Sequence, residues 1–165
     1  MSNQTYTTST TRFLADFRAV TKMGLSISVV FSSLAGYLLA VDTVDLNTLI
    51  LLAIGGYFMV GSSNIFNQII ERDLDALMDR TKNRPIPSER MAVTTAFALA
   101  IILTISGLSI LYSINERTAM FGAISICLYT SAYTPLKTKT PLSVFVGAIP
   151  GAIPFMLGWV AATGK

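Results

Sequence analysis

Five long apolar runs, separated by short polar segments, form the main pattern of this chain. They cover residues 23–41, 46–70, 92–113, 118–133 and 142–162. A helix needs about 20 mostly apolar residues to cross a bilayer, so each run predicts a transmembrane helix, the fourth a rather short one. The pattern therefore predicts an all-α fold: a polytopic membrane helical bundle with five transmembrane helices.

The composition indicates the same class of protein. Of the 165 residues, 52% are hydrophobic and 13% are charged, whereas a typical soluble domain has about 25% charged residues. The basic residues lie between the apolar runs, so the net charge of +3 does not indicate a nucleic-acid partner. The chain contains no histidine, which excludes a histidine general base or a histidine-ligated metal within it.

The amino-terminal end differs from the rest of the chain. Residues 1–21 are expected to form a polar tail and an interfacial segment, and residues 22–165 the membrane domain. Residues 1–11 are rich in serine and threonine and predict a flexible tail. Residues 13–22 predict a short interfacial helix, with Arg12, Arg18 and Lys22 near the lipid headgroups.

Lysine and arginine are distributed unevenly between the two sides of the predicted bundle. Ten of the twelve lie in the amino-terminal segment or in alternate connections, and Arg117 lies in a connection on the other side. Since cytoplasmic loops carry an excess of basic residues, the amino terminus and the loop at 71–90 are expected in the cytoplasm.

Charge is concentrated just after the second run. Residues 71–91 contain five of the nine acidic and five of the twelve basic residues. Asn67, Glu71, Asp75 and Asp79 recur every fourth residue, which places them along one face of a helix. Carboxylate oxygens at this spacing suit Mg²⁺, which commonly binds through one or two carboxylates and phosphate oxygens.

Basic residues follow these acids directly. Arg80, Lys82 and Arg84 carry cations of the kind that bind phosphate oxygens. The stretch therefore predicts a site for a metal-bound diphosphate. A solvated connection with balanced charge accounts for the spacing equally well, and Asp79 in particular is able to pair with Arg80 or Lys82.

Other polar residues allow two interpretations each. Asn64 and Asn67 are either hydrogen-bonding contacts between helices or members of a site. Tyr133 is either part of the aromatic belt at the membrane surface or a site residue. Lys137 is either a topological anchor or a substrate contact.

Several motifs together resemble a known family. Asn67-x-x-x-Glu71-x-x-x-Asp75 is similar to the first aspartate-rich motif of the UbiA superfamily of intramembrane aromatic prenyltransferases, although that motif usually has Asp in place of Glu71. Further matches to its haem O synthase (protohaem IX farnesyltransferase) branch extend from about Lys22 to the last residue. They include Arg80-Thr-Lys82-Asn-Arg84-Pro85, Tyr133-Thr-Pro-Leu-Lys137-Thr-Lys139-Thr-Pro141 and Gly147-Ala-Ile-Pro-Gly-Ala-Ile-Pro154.

The resemblance implies a larger fold than five helices. Members of the family have about nine spans and a second aspartate-rich motif in their later half. We therefore expect this chain to correspond to the amino-terminal half, and to be weakly active or inactive unless a carboxy-terminal half or a partner chain supplies the rest.

The resemblance also implies the chemistry. Glu71 and Asp75 would hold Mg²⁺ and would act with Asn67 as the catalytic residues. Farnesyl diphosphate would be the donor, haem B the acceptor substrate rather than a prosthetic group, and the bacterial inner membrane the location. The implied diphosphate contacts are Arg80, Lys82, Arg84 and Lys137. Prenyl transfer to another aromatic acceptor, such as a quinone precursor, and a non-catalytic truncated membrane protein are the alternatives.

Overall fold

The computed structural model describes the backbone of residues 9–165 and the side chains of residues 12–165, and every regular element within this range is helical. Of the predicted flexible tail at residues 1–11, residues 1–8 lie outside the described residues, and residues 9–11 are helical, so the prediction was wrong for those three. The first helix begins at Ser9, earlier than the residue 13 expected from sequence. The elements are α1 (Ser9–Val20), α2 (Met23–Ala40), α3 (Leu46–Ile70), α4 (Arg72–Leu77), α5 (Val93–Ile114), α6 (Glu116–Cys127), a π-helical turn (Leu128–Tyr133), α7 (Thr134–Leu136) and α8 (Ser143–Thr163).

Five helical stretches are long and apolar enough to cross a membrane, which confirms the all-α prediction. They are α2, α3, α5, α8 and the continuous stretch Glu116–Leu136 formed by α6, the π-helical turn and α7. The prediction of a short fourth span ending at Tyr133 was wrong. Pro135 lies in the first turn of α7, where proline is tolerated, so the helical backbone continues past the tyrosine.

Helix α3 lies at the centre of the bundle. It packs against α5 on one side and α2 on the other, while α8 packs against α2 and α6. Leu52 and Met59 of α3 and Leu111 of α5 belong to one buried cluster. A second cluster, with Val20, Ile65 and other residues, lies nearer to α1.

Small residues bring α2 and α8 into backbone contact. Gly36 faces the Phe155 carbonyl, and Gly158 faces the Ser33 carbonyl, and a Cβ atom on either glycine would overlap those backbone atoms. Close approach of this kind is how helices associate in membranes, where burial of apolar surface contributes little. The two glycines therefore fix the distance between α2 and α8.

The alternating helix directions bring the charged segments to one end of the bundle. At the other end, Asn115 caps α6 by accepting a hydrogen bond from the Thr118 N–H at 2.8 Å. Arg117 donates there to the Gly164 carbonyl. We call the end that carries residues 71–92 and 137–142 the charged end, and all the predicted site residues lie at or near it.

Candidate functional site

The predicted row of oxygen-bearing side chains spans the junction between α3 and α4. Glu71 separates the two helices, but the hydrogen bonds of helical spacing continue through it. Its N–H donates to the Asn67 carbonyl at 3.0 Å, and its carbonyl accepts from the Asp75 N–H at 2.8 Å. Asn67, Glu71 and Asp75 are all buried, at 2%, 7% and 5% exposure. These three residues, which we call the oxygen row, thus share one face as the spacing predicts.

Asp79 does not join this row, and the prediction of a fourth residue on the same face was wrong. Helix α4 ends at Leu77, and Met78 adopts an extended backbone that turns the chain away. The side chain of Asp79 is 97% exposed, and its Oδ1 lies 2.6 Å from the Lys82 Nζ. The structure therefore supports the alternative interpretation of Asp79, in which it forms an exposed ion pair with Lys82. Diphosphate binding by Arg80 and Lys82 stays a prediction.

Three cations from three separate segments contact the oxygen row, and we call them the cation trio. Lys22 comes from the junction of α1 and α2, Arg84 from the connection after α4, and Lys137 from the connection after α7. Each contacts a different member of the row. The contacts are Lys22 Nζ to Asn67 Oδ1 at 3.2 Å, Arg84 Nη1 to Asp75 Oδ2 at 2.6 Å, and Lys137 Nζ to Glu71 Oε1 at 2.5 Å.

Lys22 is the member of this cluster that sequence reasoning missed. Its backbone is left-handed, with φ 48° and ψ 56°, and this conformation turns the chain sharply between α1 and α2. Burial, followed by the positive charges of Arg84 and Lys137, lowers the pKa of the Lys22 ammonium group to about 8. Lys22 therefore belongs to the charged cluster, whereas the sequence placed it among the lipid headgroups.

Two buried amides hold this turn in place. The Asn64 Nδ2 donates to the Thr21 carbonyl at 3.1 Å and to the Ser26 Oγ at 3.2 Å. The Gln68 Nε2 donates to the Val20 carbonyl at 2.7 Å. These carbonyls lie at the end of α1 and have no partner within a continuing helix. For Asn64, the structure thus favours the interpretation as a contact between helices that positions Lys22.

An apolar cavity of about 420 Å³ lies next to the cluster, between α2, α3, the fourth span and α8. Its wall contains Pro150 and Pro154, so the two helix-breaking residues of α8 lie where a cavity adjoins the helix. Half of the other residues in the wall are aliphatic or aromatic, and the rest are glycine, serine or asparagine. Its larger residues include Leu25, Val29, Val60, Tyr129, Tyr133 and Val144.

Tyr133 lies between the cavity and the cation trio. It lines the cavity, and its ring centre is 6.0 Å from the Lys137 Nζ and 5.3 Å from the ring centre of Tyr129. A Cβ atom at Gly147 would lie 2.7 Å from the Tyr133 ring, so the glycine makes room for it. The π-helical turn, a feature frequent at functional sites, carries both tyrosines.

The charges of the cluster indicate what it can bind. Three cations face two carboxylates, which leaves an excess of one positive charge for an anion. Within residues 12–165, no group of three or more acidic or cysteine side chains is arranged to hold a metal ion. Two carboxylates do fit Mg²⁺ when phosphate oxygens complete its coordination. The donor set thus suits a metal ion together with a phosphate-bearing ligand.

Comparison with known proteins identifies relatives of this chain. Protoheme IX farnesyltransferase of Christiangramia forsetii is 68% identical to this chain over 165 residues, which are 100% of this chain and 55% of that protein. Protoheme IX farnesyltransferase of Flavobacterium psychrophilum is 73% identical over 151 residues, or 90% of this chain and 50% of that protein. The chain thus spans about half the length of the curated relatives it matches.

The fold also has a solved counterpart. A UbiA homologue from Archaeoglobus fulgidus, bound to GPP and Mg²⁺, matches with a TM-score of 0.80 at 17% identity, over 91% of this chain and 55% of that one. Residues 29–165 match the sequence profile of the UbiA prenyltransferase family. This chain therefore belongs to the UbiA prenyltransferase family.

Proposed function

We propose that this protein transfers the farnesyl group of farnesyl diphosphate to a vinyl group of haem B (protohaem IX), which gives haem O. The observation that carries the proposal is the identity of 68%, along the whole chain, to a protoheme IX farnesyltransferase. The apolar cavity beside the charged cluster supports it, because a prenyl diphosphate has an apolar chain attached to a charged head.

The oxygen row and the cation trio would bind the diphosphate head together. Glu71 and Asp75 offer carboxylates to Mg²⁺, with Asn67 beside them, and Arg84 and Lys137 offer cations to the phosphate oxygens. Bound Mg²⁺ would supply Lewis-acid stabilisation of the diphosphate as it leaves. The A. fulgidus protein of the same fold, bound to GPP and Mg²⁺, supports this assignment.

The reaction then proceeds by ionisation of the donor. The bond between C1 of the farnesyl group and the diphosphate oxygen breaks, and its electron pair leaves with the diphosphate. Arg84 and Lys137 stabilise that developing negative charge. The vinyl π electrons of haem B attack the allylic cation and form the new carbon–carbon bond. Water adds to the resulting cation and loses a proton, which leaves a hydroxyethylfarnesyl side chain.

The proposed role of the cavity is to protect the allylic cation from water. Its walls are mostly apolar, and the Tyr129 and Tyr133 rings stand at its charged side. Exclusion of water from this space prevents the cation from being captured before the vinyl group reaches it. Tyr133 would thus contact the farnesyl chain rather than serve only in the aromatic belt.

The proposed activity is tested by analysis of the haems. Membranes from cells that express the intact gene should contain haem O, and membranes from cells that lack it should not, when extracts are separated by chromatography. In vitro, the protein supplemented with the carboxy-terminal half expected from the resemblance should give the same product from haem B, Mg²⁺ and farnesyl diphosphate. A prenylated quinone precursor in place of haem O would show that the acceptor is wrong.

The five apolar helices and the family make this an integral membrane protein. We propose a multi-pass protein of the bacterial inner membrane, with its amino terminus and charged end in the cytoplasm. Ten of the twelve basic residues lie on that side, which supports the orientation.

Cysteine labelling tests the orientation. After Cys127, the only cysteine, is replaced by serine, Asn83→Cys places a thiol at the charged end and Thr43→Cys places one in the connection between α2 and α3. A membrane-impermeant maleimide added outside intact spheroplasts should label Thr43→Cys and leave Asn83→Cys unlabelled. The reverse pattern would invert the proposed topology.

A further inference from the structure

Every member of the oxygen row is paired with one member of the cation trio. The cations come from three segments that are far apart in sequence, yet they converge on three consecutive turns of one helical face. Two of the contacts, at 2.5 Å and 2.6 Å, join ions of opposite charge. The oxygens proposed to face a metal ion therefore already contact cations.

Burial explains the two carboxylate pairs. Glu71 and Asp75 are 7% and 5% exposed, and an ionised carboxylate at such depth is costly unless a positive charge accompanies it. Lys137 and Arg84 supply that charge. A metal ion at the same oxygens would supply it as well, so it competes with these two side chains for one position.

The third contact is of a different kind. Lys22 donates to the neutral amide oxygen of Asn67, which needs no countercharge. Asn67 keeps a buried Nδ2 that has no hydrogen-bond partner among the described residues, and buried donors are rarely left without one. Both groups are thus held at the site with capacity for an additional ligand: Lys22 for an anion and the Asn67 amide for an oxygen acceptor.

We propose that the cation trio and the oxygen row exchange partners when a metal-bound diphosphate enters. The trio turns to the diphosphate oxygens, the row turns its oxygens to the metal ion, and Lys22 becomes a diphosphate-binding residue. This inference rests on the proposed function, from which it takes the metal diphosphate as ligand.

Partner exchange makes the binding of metal and diphosphate cooperative. A metal ion alone displaces Arg84 and Lys137 from the two carboxylates and leaves them close to each other and to Lys22 without countercharge. A diphosphate alone removes the cations and leaves two buried carboxylates unpaired. Each ligand therefore reduces the cost of binding the other, and the coupling must be the same in both directions.

The coupling is measurable without catalysis. Mn²⁺ binding to the purified protein in detergent is followed by electron paramagnetic resonance, and binding of farnesyl S-thiolodiphosphate by calorimetry. The complex that the two form in protein-free buffer is measured separately and subtracted. We expect each ligand to tighten the other by on the order of tenfold or more, within the range usual for coupled sites. A coupling factor close to one would overturn the proposal.

Variants of Lys22 separate binding from a merely structural role. In Lys22→Met, affinity for the thiolodiphosphate with Mn²⁺ should fall about tenfold and the coupling factor should shrink, in line with a charge-assisted contact. Affinity for Mn²⁺ alone should rise, because one of the three positive charges that repel the metal ion is gone. Lys22→Arg keeps the charge and should restore most of the thiolodiphosphate affinity.

Lys139→Met is the matched control, because Lys139 is an exposed lysine in the same connection as Lys137. It should change neither affinity. If Lys22→Met weakens Mn²⁺ and thiolodiphosphate alike and Lys22→Arg restores neither, Lys22 only supports the fold and the exchange is refuted. Coupled binding without haem O formation, when the carboxy-terminal half is also supplied, would refute the proposed acceptor and leave the exchange standing. Haem O formation without coupled binding would refute the exchange and leave the proposed acceptor standing.

Discussion

Replacing Asp75 with asparagine is expected to lower the rate of farnesyl transfer by about 10²-fold or more, the loss usual when one preorganised charge-stabilising group is removed. The side chain keeps its size but loses its charge, so the metal site retains one carboxylate of two. Arg84, whose Nη1 lies 2.6 Å from the Asp75 Oδ2, also loses its countercharge. Initial rates at saturating Mg²⁺, measured as haem O by chromatography with the carboxy-terminal half supplied, give the size of the effect.

Asp73→Asn provides the matched control for this change. Asp73 lies in the same short helix, but its side chain is 90% exposed and contacts Arg72 at 3.3 Å. Exposed ion pairs of this kind contribute about 0–1 kcal/mol, so both activity and the melting temperature should stay near the wild-type values. Equal losses in the two variants would mean that Asp75 has no special role in the reaction.

The difference between Asp75 and Asp79 shows how far residue spacing could predict the site. Residues spaced four apart lie on one face only while the chain stays helical. The hydrogen bonds across Glu71 keep the chain helical as far as Asp75. The helix ends before Met78, because the Met78 backbone is extended. Nothing in the local sequence marks this end, since the nearest prolines, Pro85 and Pro87, come later.

Lys22 shows what the sequence could not indicate at all. A lysine beside an apolar run is typical of a residue at the membrane surface, and its left-handed backbone has no sequence signal such as glycine or asparagine. Its place in the site depends on Asn64 and Gln68, which hold the end of α1 from another helix. Such contacts between distant segments follow from packing and are not encoded in the pattern of either segment.

The apolar pattern predicted the number of spans well, because length and hydropathy decide whether a helix can cross a membrane. It predicted the end of the fourth span poorly. The tyrosines at 129 and 133 are typical of a membrane boundary, but the π-helical turn directs them to the cavity and the helix continues to Leu136. Aromatic residues alone therefore do not locate the end of a span that lines a cavity.

Gly158→Ala is expected to destabilise the protein by about 3 kcal/mol or more, at or above the top of the range for overpacked interiors. A Cβ atom at this position overlaps the Ser33 carbonyl oxygen and would lie 2.6 Å from the Tyr37 nitrogen. Both are backbone atoms of α2, so no change of rotamer relieves the clash. The two helices must move apart, and the packing at Gly36 is lost with them.

Alanine at two further glycines of α8, Gly147 and Gly151, should destabilise the protein less than Gly158→Ala does. At Gly147 the three atoms nearest to a Cβ all belong to the Tyr133 ring, which is able to shift, so Gly147→Ala should destabilise less while it disturbs the cavity wall. Among the described residues, and apart from its own helix backbone, a Cβ atom at Gly151 meets nothing within 4 Å, so Gly151→Ala should leave stability unchanged or slightly raised, since alanine favours helix. Thermal unfolding of the three variants in one detergent should therefore rank Gly158→Ala lowest and Gly151→Ala highest. If Gly158→Ala and Gly151→Ala melted at the same temperature, the backbone contact between α2 and α8 would be wrong.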